Sequence, residues 1–246
     1  MQRPPAPTLI VMPAFNEAEA IGSVIAEVRA SVQNAHVLVI DDGSSDETAR
    51  VAALAGADVA QLPFNLGVGG AMRLGFRYAI RNGYANVVQL DSDGQHDPSY
   101  VKELVNGLDR SDIVIGARFA GEGNYAVKGP RRWAMSLLSF VISRIAHTRL
   151  TDTTSGFKAC GPRAVQLFAA QYPAEYLGDT IEALVIAARA GCIIEQHPVA
   201  MRERQGGIPS HNPWKSAVYL GRAFFALSVA LVRPASSFRL AMGNAR

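Results

Sequence analysis

Short apolar runs alternate with longer stretches in which apolar residues recur every three or four positions. The runs are Leu9 to Met12, Val37 to Ile40, Val59 to Gln61, Val87 to Leu90 and Ile113 to Gly116. Each has strand length and most are rich in valine and isoleucine, as buried strands are. Between them, Glu17 to Ser31, Asp46 to Ala55, Gly69 to Arg81 and Pro98 to Leu108 have helical length and spacing. Strands separated by helices predict right-handed crossovers, hence an α/β fold with a mostly parallel sheet flanked by helices. Ligands of such sheets bind beyond the carboxyl ends of the strands. Four polar loops fall there: Pro13 to Glu17, Asp41 to Ser45, Asn65 to Gly70 and Asp91 to Gln95.

Past about residue 117 the rhythm changes. Gly121 to Gly129 is interrupted by glycines and reads as a loop of the kind that closes over a reaction site, and Pro130 opens an apolar helix to about His147. Thr151 to Lys158 is polar and turn-like, Ile181 to Ala190 reads as a helix, Ile193 to Met201 as a late strand, and Arg202 to Pro213 as a loop. The expected organisation is a flexible arm at 1–7 and one large domain at 8–213, in two halves, 8–117 and 118–213. An apolar and basic tail follows at 214–246. In that tail Ala217 to Val232 would make a helix of about 24 Å at roughly 1.5 Å per residue, short of a hydrocarbon core near 30 Å. Lys215, Arg222 and Arg233 fall along one line of it, so the helix suits either the headgroup plane of a membrane or a protein surface.

Composition narrows the class. The 246 residues are 49% hydrophobic and 18% charged, which excludes a disordered chain. Net charge is only +3, but basic residues crowd the second half, which favours an anionic partner. Cys160 and Cys192 stand far apart and match neither a disulfide framework nor a zinc motif, so a reducing compartment is expected. No signal peptide is visible in the first residues, and a cytoplasmic location follows as an expectation.

The chemistry begins at Asp91-Ser92-Asp93-Gly94-Gln95, directly after an apolar strand. Carboxylates at i and i+2 beyond a strand end can converge on one hard cation, with Gln95 adding a neutral oxygen and other positions left to water or a diphosphate. Unopposed, the two carboxylates would repel each other. His96, on the same loop, reads as a surface histidine.

Four blocks occur in order: Val11-Met12-Pro13-Ala14-Phe15-Asn16-Glu17, Asp41-Asp42-Gly43-Ser44-Ser45-Asp46, Asn65-Leu66-Gly67-Val68-Gly69-Gly70-Ala71 and Asp91-Ser92-Asp93-Gly94-Gln95-His96-Asp97-Pro98. Together they resemble the family 2 inverting glycosyltransferases of GT-A fold, the Rossmann-like architecture of nucleotide-diphospho-sugar transferases. Asp152-Thr153-Thr154-Ser155-Gly156-Phe157-Lys158 is similar to the acceptor-side motif of the dolichol-phosphate mannosyltransferase and polyprenyl-phosphate glycosyltransferase branch. The resemblance covers roughly residues 8 to 210.

It implies a donor site in which Pro13, Ala14 and Glu17 lie under the nucleoside and Asp42 accepts a hydrogen bond from base or ribose. Asn65 and Gly69 would belong to a loop whose backbone approaches the diphosphate or sugar. Asp91, Asp93 and Gln95 would hold Mg²⁺ or Mn²⁺, with Ser92 beside them and Asp93 counted among the catalytic residues. Arg202 or Arg204 would contact the nucleotide phosphates. That last loop departs from the branch: Pro209 stands where serine is common and the following lysine is absent. On the acceptor side, Ser155 and Gly156 fit near the reacting centre. Arg131, Arg132 and Arg144 would clamp a lipid phosphate, which needs no strong base. If the acceptor were a hydroxyl, Asp179 or Glu182 would serve as general base.

The partners so implied are a GDP- or UDP-hexose and a polyprenyl or dolichyl phosphate at the cytoplasmic face of a membrane, with a membrane protein or a second copy as possible support, and no nucleic acid. Rival readings are the same fold acting on a hydroxyl acceptor and a nucleotide-binding module without turnover. A sugar nucleotidyltransferase is disfavoured, because no glycine-rich, basic triphosphate loop opens the chain.

Overall fold

The computed structural model describes residues 7–33, 35–118, 130–173 and 179–202; for 130–136 and for Asp179 it describes the backbone alone. The elements are β1 (Thr8–Ala14), α1 (Ile21–Ser31), β2 (His36–Asp41), α2 (Thr48–Leu54), β3 (Asp58–Gln61), α3 (Gly67–Arg81) and β4 (Asn86–Gln89). A single 3-10 turn (Pro98–Tyr100) leads into α4 (Val101–Gly107), followed by β5 (Ile113–Ala117), α5 (Pro130–Ala146), β6 (Lys158–Cys160), α6 (Pro162–Gln171), α7 (Asp179–Arg189) and β7 (Ile194–Pro198).

The strands form one sheet in the order β3-β2-β1-β4-β6-β5-β7. β1 pairs parallel with β2 and β4, β2 with β3, and β5 with β7, whereas β6 runs antiparallel to both β4 and β5. Six strands therefore aim their carboxyl ends at one edge and β6 enters from that edge. Helices cover both faces, which is why the central strands read as continuous apolar runs rather than as alternating ones. Ile10, Met12, Val88 and Val114 meet Ile21, Val24 and Ile25 of α1 and Leu104 of α4 on one side. On the other, Leu9, Val11, Val87 and Ile113 meet Met72 and Phe76 of α3, Phe168 of α6 and residues of α5 and α7.

The α3 helix lies very close to β1. A Cβ added at Gly75 would stand 2.6 Å from Cγ1 of Val11, and Val11 is fully buried in a central strand. Gly75→Ala should therefore cost about 1–3 kcal/mol by overpacking. The expected result is a lower urea midpoint at unchanged slope; an unchanged midpoint would show that α3 can shift away from the sheet.

The expected strands and most expected helices are present, with ends moved by a few residues. Two elements were not expected. Thr151 to Lys158 is a turn only as far as Phe157, since Lys158 opens β6, and α6 follows at once from Pro162. A three-residue strand that begins with lysine carries too little periodicity to be read from sequence. The arm at residues 1–6, the segment Gly121 to Gly129 and everything after Arg202, including Arg204 and the tail, lie outside the described residues. Among the described residues no helix is long and apolar enough to cross a membrane.

Candidate functional site

The loops after β1 and β2 fasten to each other through backbone donors. Asn16 N–H donates to Ser44 Oγ (2.9 Å), Ser45 N–H to Asn16 Oδ1 (2.8 Å), Glu17 N–H to Thr48 Oγ1 (2.9 Å) and Ala18 N–H to Asp46 Oδ2 (3.2 Å). Asn16 sits at φ +55, a left-handed conformation that asparagine tolerates better than most side chains. Pro13 and Ala14 stand opposite Ile40 and Asp41 at the end of this pairing, and the Pro13 carbonyl accepts the Ser92 hydroxyl at 3.1 Å. Three loops of the expected donor site are thus joined at one edge, with Glu17 buried among them.

Asp42 differs from the sequence expectation. It is buried, and its two carboxylate oxygens accept the N–H groups of Leu66 and Gly67, each at 2.7 Å. These are the first backbone donors of α3, which a helix leaves unpaired and a carboxylate stabilises. Burial raises the Asp42 pKa, those two hydrogen bonds lower it, Asp41 raises it further, and the net direction is upward. Asp42 therefore anchors the glycine loop that carries Asn65 and Gly69, rather than turning its oxygens outward to a base. Asn65 Oδ1 also accepts the Gly67 N–H, at 3.1 Å, and Gly69 is buried in the first turn.

Beyond β4, Asp91 keeps 39% of its side chain exposed, while Ser92 and Asp93 are buried. Asp93 Oδ1 accepts the Gln95 N–H at 2.9 Å, which curls the loop so that Asp91, Asp93 and Gln95 belong to one tight turn. His96 is not a surface residue. It is 3% exposed and stacks on Phe157 with ring centroids 4.9 Å apart. Its Nδ1 accepts the Asp91 N–H at 3.1 Å and its Nε2 lies 3.6 Å from Asp91 Oδ2. The ring thus holds the Asp91 backbone and lies beside its carboxylate. Residue 96 also bridges Met201 in antiparallel fashion, and Arg202 N–H donates to the Gln95 carbonyl.

Arg202, expected on nucleotide phosphate, instead places its guanidinium between the carboxylates of Glu27 and Asp97. The Glu27 hydrogen bond leads in raising its pKa further, so it is a firmly held cation that braces the metal-type loop from behind.

On the acceptor side, Asp152 and Thr153 are fully buried, and Asp152 is gripped by Arg118. Arg118 Nε donates to Oδ2 at 2.7 Å, Nη2 to Oδ1 at 2.9 Å and the Arg118 backbone N–H to Oδ2 at 3.1 Å, with Nη2 also reaching Thr154 Oγ1 at 2.7 Å. Burial pushes the Asp152 pKa up, the Arg118 bonds and charge more than offset it, and the result lies below the usual carboxylate range. Arg118 was not singled out from sequence. Its signal was a lone cation at the first position past a strand on the ligand edge.

Ser155 is 2% exposed, and its Oγ has no hydrogen-bond partner among the described residues. Gly156 stands directly against Asp91: a Cβ there would lie 3.1 and 3.2 Å from the two Asp91 carboxylate oxygens. The structure thus brings Asp91 and the Ser155-Gly156 motif together, although Asp91 and Ser155 stand 64 positions apart in the sequence.

Two hydroxyls of α5 face the segment that follows it: Ser139 Oγ lies 3.5 Å from Thr153 Oγ1, and the Ser143 hydroxyl accepts the Leu150 N–H. Arg144 is exposed near the far end of that helix, away from this contact. Arg131 and Arg132 lie in its first turn, and Asp179 at the start of α7; their side chains are outside the description. Glu182 is half-buried one turn further along α7.

Asp91, Asp93 and Gln95 offer only oxygen donors, the kind that Mg²⁺ and Mn²⁺ prefer. Among the described residues no three His, Cys, Asp or Glu side chains close into a cage. The donor set fits an ion that takes its remaining ligands from outside the protein.

A mostly parallel sheet with joined loops at its carboxyl edge, one antiparallel insertion and an acidic turn after the fourth strand defines a GT-A nucleotide-diphospho-sugar transferase fold. The same architecture appears in glucosyl-3-phosphoglycerate synthase from Mycobacterium tuberculosis, solved with Mn²⁺, uridine diphosphate and phosphoglyceric acid. That likeness has a TM-score of 0.72 at 21% identity and covers 93% of this chain and 80% of that one. Residues 9–168 match the model of glycosyl transferase family 2, and the chain belongs to that family. Undecaprenyl-phosphate mannosyltransferase of Micrococcus luteus is 30% identical over 211 residues, 81% of this chain and 85% of that protein. Polyprenol monophosphomannose synthase of Mycolicibacterium smegmatis is 33% identical over 165 residues, but the match spans only 62% of that protein and 64% of this chain.

Proposed function

We propose that this protein is a metal-dependent, inverting glycosyltransferase that moves a hexose from a nucleoside diphosphate to a polyprenyl or dolichyl phosphate. The observation that carries the reading is the close approach of Gly156 to Asp91, where a Cβ would have no room, which sets the donor-side carboxylate beside the acceptor-side motif. The relatives that act on polyprenyl phosphates, two of them named for mannose and one, from Methanococcus voltae, for N-acetylglucosamine, support the acceptor class while leaving the sugar open.

In this mechanism Asp91, Asp93 and Gln95 would hold Mg²⁺ or Mn²⁺, which would supply Lewis-acid neutralisation of charge on the leaving diphosphate. His96 lies beside the Asp91 carboxylate, and the absence of a Cβ at Gly156 leaves that carboxylate its room on the acceptor side. Pro13, Ala14, Glu17 and Asn65 form the donor side, with the Asp42-anchored glycine loop beneath the diphosphate. Ser155 meets the reacting centre from the acceptor side. A lipid phosphate is already anionic, so the protein needs cations to hold it in line; Arg131 and Arg132, in the first turn of α5, are assigned that role, whereas Arg144 stands at the far end of the helix, too distant to share it. The enzyme works peripherally at the cytoplasmic membrane face, where the lipid is presented.

The test is a matrix of UDP- and GDP-hexoses against short-chain polyprenyl phosphate with Mg²⁺ or Mn²⁺, following nucleoside diphosphate release and the mass of any lipid product. Lipid-dependent release with a glycosyl phospholipid is expected. Release that ignores the lipid would overturn the acceptor assignment and move attention to hydroxyl acceptors with Asp179 or Glu182 as base.

A further inference from the structure

Gln89 ends β4 two residues before Asp91 and had no role in the sequence reading. In the antiparallel pairing of β4 with β6, Val87 stands opposite Cys160, Val88 opposite Ala159 and Gln89 opposite Lys158. Continuing that register puts Asp91 opposite Gly156, in agreement with the close approach of Asp91 to that glycine. Side chains two apart on a strand share a face. Gln89 and Asp91 thus form successive rows on one face, and Gln89 Nε2 comes within 3.3 Å of the position a Gly156 Cβ would take.

Gln89 is 2% exposed, and its Oε1 is buried without a hydrogen-bond partner among the described residues. Its neighbour in register does not supply one: Lys158 sends its ammonium to the Tyr172 hydroxyl at 3.0 Å. Buried carbonyl oxygens are almost always paired, so this one marks a place that a ligand donor completes. Ser155 Oγ, on the residue before Gly156, is likewise buried without a partner. With the ion assigned to the oxygens of Asp91, Asp93 and Gln95, the Gln89 oxygen is left as a hydrogen-bond acceptor, which needs an N–H or O–H group. Ionised diphosphate and ionised lipid phosphate have neither, and the nucleoside belongs at the loops of β1 and β2, on the far side of Asp91. Of the reactants, the hexose alone brings hydroxyl donors to this position.

We propose that Gln89 accepts a hydrogen bond from a hydroxyl of the transferred hexose and so helps determine which sugar is used. The inference rests on the glycosyl-transfer reading above.

The test compares wild type, Gln89→Met and Gln89→Leu by calorimetric titration with GDP-mannose against GDP, and UDP-glucose against UDP, in Mg²⁺. Wild type that binds no nucleoside diphosphate or its sugar would sink the transferase reading itself. Given binding, the variants should hold the nucleoside diphosphate as wild type does and lose about tenfold in affinity for the sugar nucleotide, the value of one hydrogen bond. Ligand-free thermal midpoints should stay level or rise, because an unsatisfied buried polar group has been replaced by an apolar one. A single-deoxy sugar nucleotide that loses about tenfold on wild type should lose nothing more on the variants. Equal losses for nucleoside diphosphate and sugar nucleotide, no loss at all, or a lowered midpoint with a parallel loss of both would each overturn the assignment.

Discussion

Replacing Asp93 by asparagine is expected to abolish metal-dependent transfer while leaving the protein folded. The carboxylate is buried and its Oδ1 accepts the Gln95 N–H. An asparagine carbonyl can accept the same bond, so the turn retains its shape. What is lost is a full negative charge at the proposed ion. Lewis-acid assistance is worth several kcal/mol to a departing diphosphate, so the rate should fall on the order of a thousandfold. Product formation across a Mg²⁺ titration, with circular dichroism as the fold control, reads the result. Near wild-type turnover by a folded Asp93→Asn protein would remove Asp93 from the metal site.

The largest expected loss of stability follows Arg118→Met. Asp152 has a fully buried side chain and depends on three bonds from Arg118. Removing the cation leaves an uncompensated buried carboxylate, at a cost of about 3–5 kcal/mol, or a fall in thermal midpoint of about 10 °C for a chain of this size. The pH dependence has a definite sign. In wild type the folded Asp152 pKa is depressed, so its contribution is present above the unfolded value near 3.8 and is lost as pH falls through the folded one. In the variant, burial acts unopposed by Arg118 and raises that pKa, so the carboxyl takes up a proton more readily and the penalty is relieved. Midpoints measured from pH 7 down to 3.5 should therefore converge in acid. A gap of the same size throughout would mean that Arg118 acts by packing alone.

Much of this was legible because each donor-side feature is local. A strand end, a carboxylate pair or a glycine loop is complete within a few residues, and the order of strands and helices places all of them at one edge. The misread features are those completed by partners far along the chain. Asp42 was expected to face a ligand, but its oxygens are satisfied by Leu66 and Gly67, brought close only when α3 docks. His96 was expected at the surface, and only Phe157 of the β6 approach explains its burial. Arg202 was expected to bind phosphate, yet Glu27 on α1 reaches it from 175 residues away. β6 itself carries hardly any local signal, and with it went the juxtaposition of Asp91 and Gly156.

The reversed direction of β6 has a further consequence. Because β6 lies antiparallel beside β5, with Gly116 N–H donating to the Phe157 carbonyl, the chain leaves the sheet and returns to it at adjoining points of the same edge. Everything from Arg118 to Phe157 is an excursion with its two ends side by side, clasped by Arg118 and Asp152. Its length is not dictated by the pairing of β1, β2 and β4, which frames the proposed donor side. The clasp fixes where that excursion begins and ends, so Gly156 and Phe157 return to Asp91 and His96 whatever path the chain takes between the two ends.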